Sequence, residues 1–192
     1  MSTRLATGDR MTVEQYLDWS MTQPKGRYEL VDGVPFKKSP ERNMHALVKV
    51  AVFSALREAA RLARTDCVVF PDGPTIVIDA TQAREPDVSV QIGSFDPDAM
   101  TIDTPVIVVE VTSPSTMRTD TQDKLIEYFS LASVRHFVLV HPGQRSVIHH
   151  RRDEAGVIVT DIVSSGTLTF DPPGFSVEIA SFFEDLPPVK AH

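Results

Sequence analysis

REPDVSVQIGSFDPDAMTIDTPVIVVEVTSPST, residues 84–116, contains two strand-like runs, 87–92 and 105–111, separated by a segment rich in Pro, Asp and Gly. Val and Ile dominate both runs, and β-branched side chains suit a pleated, half-buried surface. If the runs pair antiparallel with Ile92 facing Pro105, Asp87 lies opposite Glu110. Directly opposed residues have Cβ atoms about 4.5–5.5 Å apart, where like charges destabilise a sheet unless something compensates them. A divalent cation is an apt compensator, because Mg²⁺ accepts carboxylate oxygens and usually takes only one or two of them from the protein. Alternation puts Ser89 and Gln91 with Asp87 and Thr112 with Glu110, leaving Val88, Val90, Ile92, Val109 and Val111 on an apolar face. A bland reading stays open: Asp87 begins a strand in solvent, and Glu110 ends one beside a buried cation. Against it, a carboxylate inside PVIVVEV is costly when buried without a partner.

Working outward, apolar residues at 13, 16, 17 and 19 predict a short helix beginning near Thr12. GRYELVDG, residues 26–33, ends in Asp32-Gly33, a two-residue turn signal, and predicts an N-terminal β-hairpin over about 27–38. Asn43 is the expected N-cap of the main helix, whose apolar residues recur at helical spacing from Met44 to Ala63. Lys49, Arg57, Glu58, Arg61 and Arg64 then form its solvated face. Further strands are expected at 67–70, 75–78, 136–140, 146–150, 156–161 and 175–179, with a second helix over about 120–132 and a candidate substrate loop at 93–104. The pattern is mixed α/β (α+β).

At 192 residues and 42% hydrophobic, the chain can bury roughly 70% of the surface its unfolded form exposes. One domain over 11–186 is expected, with 1–10 and 187–192 as flexible ends. The single Cys67 cannot form an intramolecular disulfide and reads as core, and no run of eighteen apolar residues suggests a membrane span, so the expected location is cytoplasmic. A net charge of −7 disfavours nucleic-acid binding through a broad basic surface, but a site for divalent metal must itself be acidic.

Four blocks, GRYELVDG, REPDVSV, VVEVTSPST (108–116) and DKLIEYFSLASVRHFVLVHP (123–142), resemble the PD-(D/E)XK nuclease superfamily, and more narrowly its Uma-two family of restriction-endonuclease-like proteins. The likeness spans about residues 11–185. It implies a restriction-endonuclease-like core, a central mixed β-sheet flanked by helices, and an endonuclease that hydrolyses nucleic-acid phosphodiesters with Mg²⁺, or Mn²⁺ in its place. DNA is the expected polymer. Asp87 and Glu110 take the superfamily's metal-binding positions, with the Val111 backbone carbonyl as a third ligand, and Glu29 matches an additional acid near the chain start. The superfamily lysine belongs two residues after the strand glutamate, where this chain has Thr112; Lys124 matches a lysine typical of the Uma-two family. His45, Thr112 and Ser113 are the expected substrate contacts. A homodimer is expected, since one site cuts one strand and two-fold pairing addresses both. The alternative is a nuclease fold that has lost turnover and serves as a binding module for nucleic acid or protein.

His149 and His150 are adjacent on an expected strand and point to opposite faces, which argues against a shared metal site. Ser113 and Ser115 lie in no G-x-S-x-G elbow, so serine hydrolysis has no support.

Overall fold

The computed structural model describes residues 3–4, 10–24, 26–112 and 118–187; Ser113 lies outside them. In chain order the elements are β1 (Thr3–Arg4), α1 (Val13–Thr22), β2 (Tyr28–Val31), β3 (Val34–Lys37), α2 (Asn43–Ala63), β4 (Cys67–Pro71), β5 (Ile76–Asp79) and β6 (Gln82–Arg84). There follow β7 (Val88–Ile92), β8 (Pro105–Val111), α3 (Arg118–Ser130), β9 (His136–His141), β10 (Ser146–Arg152), β11 (Ile158–Val163), β12 (Thr167–Phe170), β13 (Phe175–Glu178) and a 3-10 turn at Ile179–Phe182. Of the stretches expected to be flexible, 1–10 and 187–192, the described part includes Thr3–Arg4, which pairs with Phe36 and Lys37 of β3.

A six-stranded sheet in the order β11-β10-β9-β8-β7-β4 forms the centre. Its β8–β9 pair is parallel and its other pairs antiparallel. A parallel neighbour needs a crossover connection, and α3 supplies it. On one face α2, β12, β13 and the 3-10 turn close a core around Val52, Leu56, Val88, Val109, Phe170 and Phe182. On the other, α3 and β5 pack over Ile76, Val108, Tyr128 and Phe137. The architecture is the mixed sheet flanked by helices that the sequence predicts.

The hairpin β2–β3 belongs to a five-stranded sheet, β1-β3-β2-β6-β5. Its turn has positive φ at both central residues, 50° at Asp32 and 73° at Gly33, as a two-residue hairpin turn of this kind requires. Glycine is needed at the second position for space as well: a Cβ there would lie 2.8 Å from Arg10 Cβ and 3.1 Å from the Met11 carbonyl oxygen. Helix α1 starts with a capping box, Thr12 and Gln15 each bonding the other's backbone N–H, and is tied to the hairpin by Tyr16 O–H donating to Tyr28 O at 2.7 Å.

The predicted register holds through the strand centres, with Val88 opposite Val109, Ser89 opposite Val108 and Val90 opposite Ile107. A bulge then sets Gln91, not Ile92, against Pro105. The extra residue lets both Val106 and Ile107 enter the core beneath α2, while Ile92 is 39% exposed and leaves the apolar face assigned to it. Gln91 instead holds the 93–104 loop, donating to Ser94 O at 2.7 Å and accepting from Asp103 N at 3.1 Å.

Two expectations on α2 are corrected. Arg42 is the N-cap and makes no side-chain cap bond, so Asn43 is the first helical residue. Glu41, just ahead of the cap, is gripped by Arg27 and Lys49, which fixes the chain's entry into the helix. Lys49 is buried, bonded to Glu41 at 2.7 Å and Asp72 at 2.6 Å, rather than solvated; Arg57, Glu58, Arg61 and Arg64 are exposed as expected.

Candidate functional site

The β6–β7 junction, the end of β8, the hairpin, the first turn of α2 and α3 converge on a buried group of charges. Asp87 begins this group. Its backbone N–H donates to Val109 O at 3.2 Å, carrying the β7–β8 register one residue further and setting Asp87 beside Glu110. Its Oδ2 accepts from Val111 N–H at 2.8 Å and lies 3.4 Å from His45 Nε2, which itself donates to Val111 O at 2.8 Å. On the other side, Oδ1 is 3.8 Å from an Arg27 nitrogen and 3.9 Å from Lys38 Nζ. Burial pushes the Asp87 carboxyl up, but the His45 hydrogen bond, the Lys38 charge and the Val111 N–H outweigh it and hold the group well below the usual carboxylate range.

Glu110 is treated in the opposite way. It accepts from Lys124 Nζ and from Tyr128 O–H, both at 2.9 Å. Burial raises its carboxyl; Lys124 opposes the rise, while the nearby Asp87 and Glu29 charges add to it, and the net shift is upward. Glu29, on β2, is also buried, yet its carboxyl lies below its ordinary value, because Lys124, Lys38 and Arg84 together exceed the burial effect. Glu29 accepts from Arg84 at 3.1 Å, from Lys124 Nζ at 3.3 Å and from the Glu85 backbone N–H at 3.4 Å. Lys124 therefore bridges Glu110 and Glu29, joining α3 to β8 and to the hairpin.

Around this centre lies a second layer. Arg27 pairs with Glu41, Asp72 and Glu85, and Arg84 grips Glu127 through two nitrogens at 2.6 and 2.7 Å. Ion pairs join Glu29, Glu41, Asp72, Glu85, Asp87, Glu110 and Glu127 with Arg27, Lys38, Lys49, Arg84 and Lys124 in one network, which His45 also enters. Burial lowers the His45 imidazole, but the Asp87 hydrogen bond and the Asp87 and Glu41 charges outweigh it and raise it above its ordinary value. Among the described residues, one group brings three metal-ligating side chains together: Glu41, His45 and Asp87, whose ligand atoms lie within 4.8 Å of one another.

The family model described as “Putative restriction endonuclease” (Uma2) matches residues 13–181. The chain belongs to the Uma2 family. It is similar to the “Uncharacterized protein slr1290” of Synechocystis sp. (strain ATCC 27184 / PCC 6803 / Kazusa), 25% identical over 180 residues that cover 92% of this chain and 93% of that one. It also shares the fold of a crystal structure described as “a putative nuclease belonging to DUF820 from Anabaena variabilis ATCC 29413”, with a TM-score of 0.71 at 16% identity, covering 91% of this chain and 98% of the other. The restriction-endonuclease-like core expected from the sequence is the fold of this Uma2 chain.

Of the residues that sequence reasoning selected, the structure brings Asp87, Glu110, Glu29, Lys124, His45 and Val111 together. Thr112 is adjacent in the chain, but its hydroxyl is engaged with β9, 2.7 Å from His141 Nδ1 and 3.2 Å from Val140 O. Sequence reasoning missed Lys38, Arg27, Glu41, Asp72, Arg84 and Tyr128. Glu41 and His45 stand four apart across the start of α2, with His45 Nδ1 3.5 Å from Glu41, and an acid and a histidine at that spacing beside a predicted helix start was a usable signal. Nothing local marks Lys38 or Asp72, which meet the site only through the hairpin and the turn after β4.

Proposed function

We propose that this Uma2 chain is a cytoplasmic, Mg²⁺-dependent endonuclease that hydrolyses phosphodiester bonds of DNA, with Mn²⁺ as a substitute ion. The observation that carries the reading is the junction of Asp87 Oδ2, the Val111 carbonyl and the His45 imidazole, with Glu110 on the neighbouring strand position and Glu41 beside His45. The donors fit a divalent ion. Two or three carboxylates and a backbone carbonyl are hard oxygen ligands suited to Mg²⁺, and an imidazole extends the set to Mn²⁺. His45 Nδ1 is buried and makes no hydrogen bond, so the ring retains an unused donor or acceptor facing Glu41.

An ion held here supplies Lewis acidity, polarising a phosphoryl oxygen and making a water acidic enough to attack at neutral pH. Asp87 and Glu110, with the Val111 carbonyl, would hold it. Lys124 fixes the Glu110 carboxylate and would supply positive charge where charge develops on the phosphoryl oxygens. Glu29 anchors Lys124, and His45 and Ser113 would meet the substrate strand, while the Thr112 hydroxyl stays with β9. A homodimer positions two such sites for the two strands of a duplex.

Calorimetric titration of Mg²⁺ and Mn²⁺ into wild type and Asp87→Asn, followed by plasmid nicking under the same conditions, tests the proposal. Binding that disappears in Asp87→Asn, with nicking that requires metal, is expected; absence of binding by the wild type refutes it. A second reading, a nuclease fold without turnover, draws support from Thr112 at the superfamily's lysine position with its hydroxyl committed to β9. Metal binding without nicking selects that reading.

A further inference from the structure

Lys38 follows directly on β3, and its position is pinned at two points. Its backbone N–H donates to Arg27 O at 2.8 Å, and its Nζ donates to Glu85 O at 2.6 Å. That second bond fixes the ammonium 3.8 Å from Glu29 Oε1 and 3.9 Å from Asp87 Oδ1. The side chain is 16% exposed, so the charge sits at the border between the buried acids and solvent.

Nucleases that use two ions hold them about 3.5–4 Å apart. Carboxylate oxygens are the ligands such ions take, so each ion needs a carboxylate side of its own. Asp87 is the residue here with two differently occupied sides. Its Oδ2 faces His45 and the β8 terminus, where the donors named above converge; its Oδ1 faces Lys38 and Arg27. The Oδ1 side, where Glu29 would complete a second set of oxygens, therefore already has a fixed positive charge.

We infer that the site takes one divalent ion rather than two, because the Lys38 ammonium occupies the place of the second. This rests on the metal-dependent reading above and deepens it. A second ion at Oδ1 would lie against the Lys38 ammonium, 3.9 Å from that oxygen, inside a buried cluster, and burying charge beside unpaired like charge is strongly unfavourable. Lys38 thus limits the ion count while stabilising the Glu29 and Asp87 carboxylates before any ion arrives.

The test is the number of Mn²⁺ ions bound by the full chain after metal stripping. Calorimetry of the wild type should give one ion per chain, with the well-separated hyperfine spectrum of an isolated Mn²⁺ in electron paramagnetic resonance. Lys38→Met, which keeps the stem and removes the charge, should bind two, with the broadened spectrum of a spin-coupled pair, and Lys38→Arg should return to one. Lys38→Gln gives the same measurement if Lys38→Met does not fold. Two ions in the wild type, or one ion at unchanged affinity in both neutral variants, overturns the inference and leaves the metal reading standing. No ion in the wild type overturns both.

Discussion

Glu110→Gln replaces a buried carboxylate by a neutral amide of the same shape, and its effect on stability should reverse sign with metal. The Glu110 carboxyl is held above its ordinary value of 4.5, first by burial and then by Asp87 and Glu29, with Lys124 offsetting only part. A carboxyl raised in the folded state contributes stability that is complete below the unfolded value near 4.5 and is lost as pH rises through the folded value. At pH 8 the charged form is therefore a liability, and Gln mimics the protonated acid. The opposing effect is loss of charge opposite Lys124, since breaking a buried pair costs about 3–5 kcal/mol when a charge is stranded. Lys124 is not stranded: it retains Glu29 at 3.3 Å, and the amide oxygen still accepts from Lys124 and from Tyr128. The net expectation without metal is the gain typical of relieving a functional-site conflict, about 0.5–2 kcal/mol. At about 2–4 °C per kcal/mol for a domain of this size, Tm should rise by about 1–8 °C in EDTA at pH 8. In Mn²⁺ at about 100 times its Kd the wild type gains about 2.7 kcal/mol and the variant almost none, so the order inverts. Differential scanning fluorimetry in the two buffers reads both. A variant less stable than wild type in EDTA at pH 8, or one that gains as much from Mn²⁺, refutes the reasoning.

Two further perturbations probe the fold around the site. Arg84→Met takes the guanidinium from Glu127, 13% exposed, while Glu29 keeps Lys124 and Lys38, and should cost about 3 kcal/mol, read as a fall in the urea midpoint, with Glu127→Gln in the same chain recovering part. A loss under about 0.5 kcal/mol, the usual range for surface substitutions, would show that Arg84 does not hold β6 to α3. His136 and His149, 3.0 Å apart and buried against Phe170, are each lowered by burial to about 4. A histidine lowered in the folded state contributes stability that is present above its unfolded value of 6.5 and lost as pH falls toward 4, at most about 3 kcal/mol per imidazole. Urea unfolding at pH 7 and 4.5 should show a smaller acid loss in His149→Phe than in wild type; equal losses would remove the pair from the acid response.

The parts of this fold written in short-range pattern were legible, and the parts held by long-range charge were not. Val88, Ser89 and Val90 find the predicted partners because the alternation of two strands admits one register that buries both apolar faces. The bulge at the far end broke that register because Val106 and Ile107 both enter the core, which alternation does not anticipate. β6 escaped detection because its three residues, Gln82–Arg84, carry a polar residue at each end and give no period. Lys49 was misplaced on solvent for the same reason that Asp72 was missed: Lys49 is four residues from His45 and looks like surface, and only the turn after β4 brings a carboxylate to it. Asp87 and Glu110 were paired by strand alternation, and Glu29 and Lys124 were selected through the blocks that carry the family likeness.

Asp87 and Glu110 are chemically near-identical, yet the fold separates them. Asp87 receives an N–H from Val111, the imidazole of His45 and the charge of Lys38, and remains ionised across the working pH range. Glu110 is compensated incompletely, by one lysine and one tyrosine. A site with both carboxylates fully satisfied would have little electrostatic reason to bind an ion, and one with neither satisfied would strain the sheet that positions them. The split gives one ligand that is always charged and one whose charge is favoured when a cation arrives. On the metal-dependent reading, ion binding would release a proton from Glu110 and leave the Asp87 pairing intact, so calorimetric affinity should tighten as pH rises through the elevated Glu110 value.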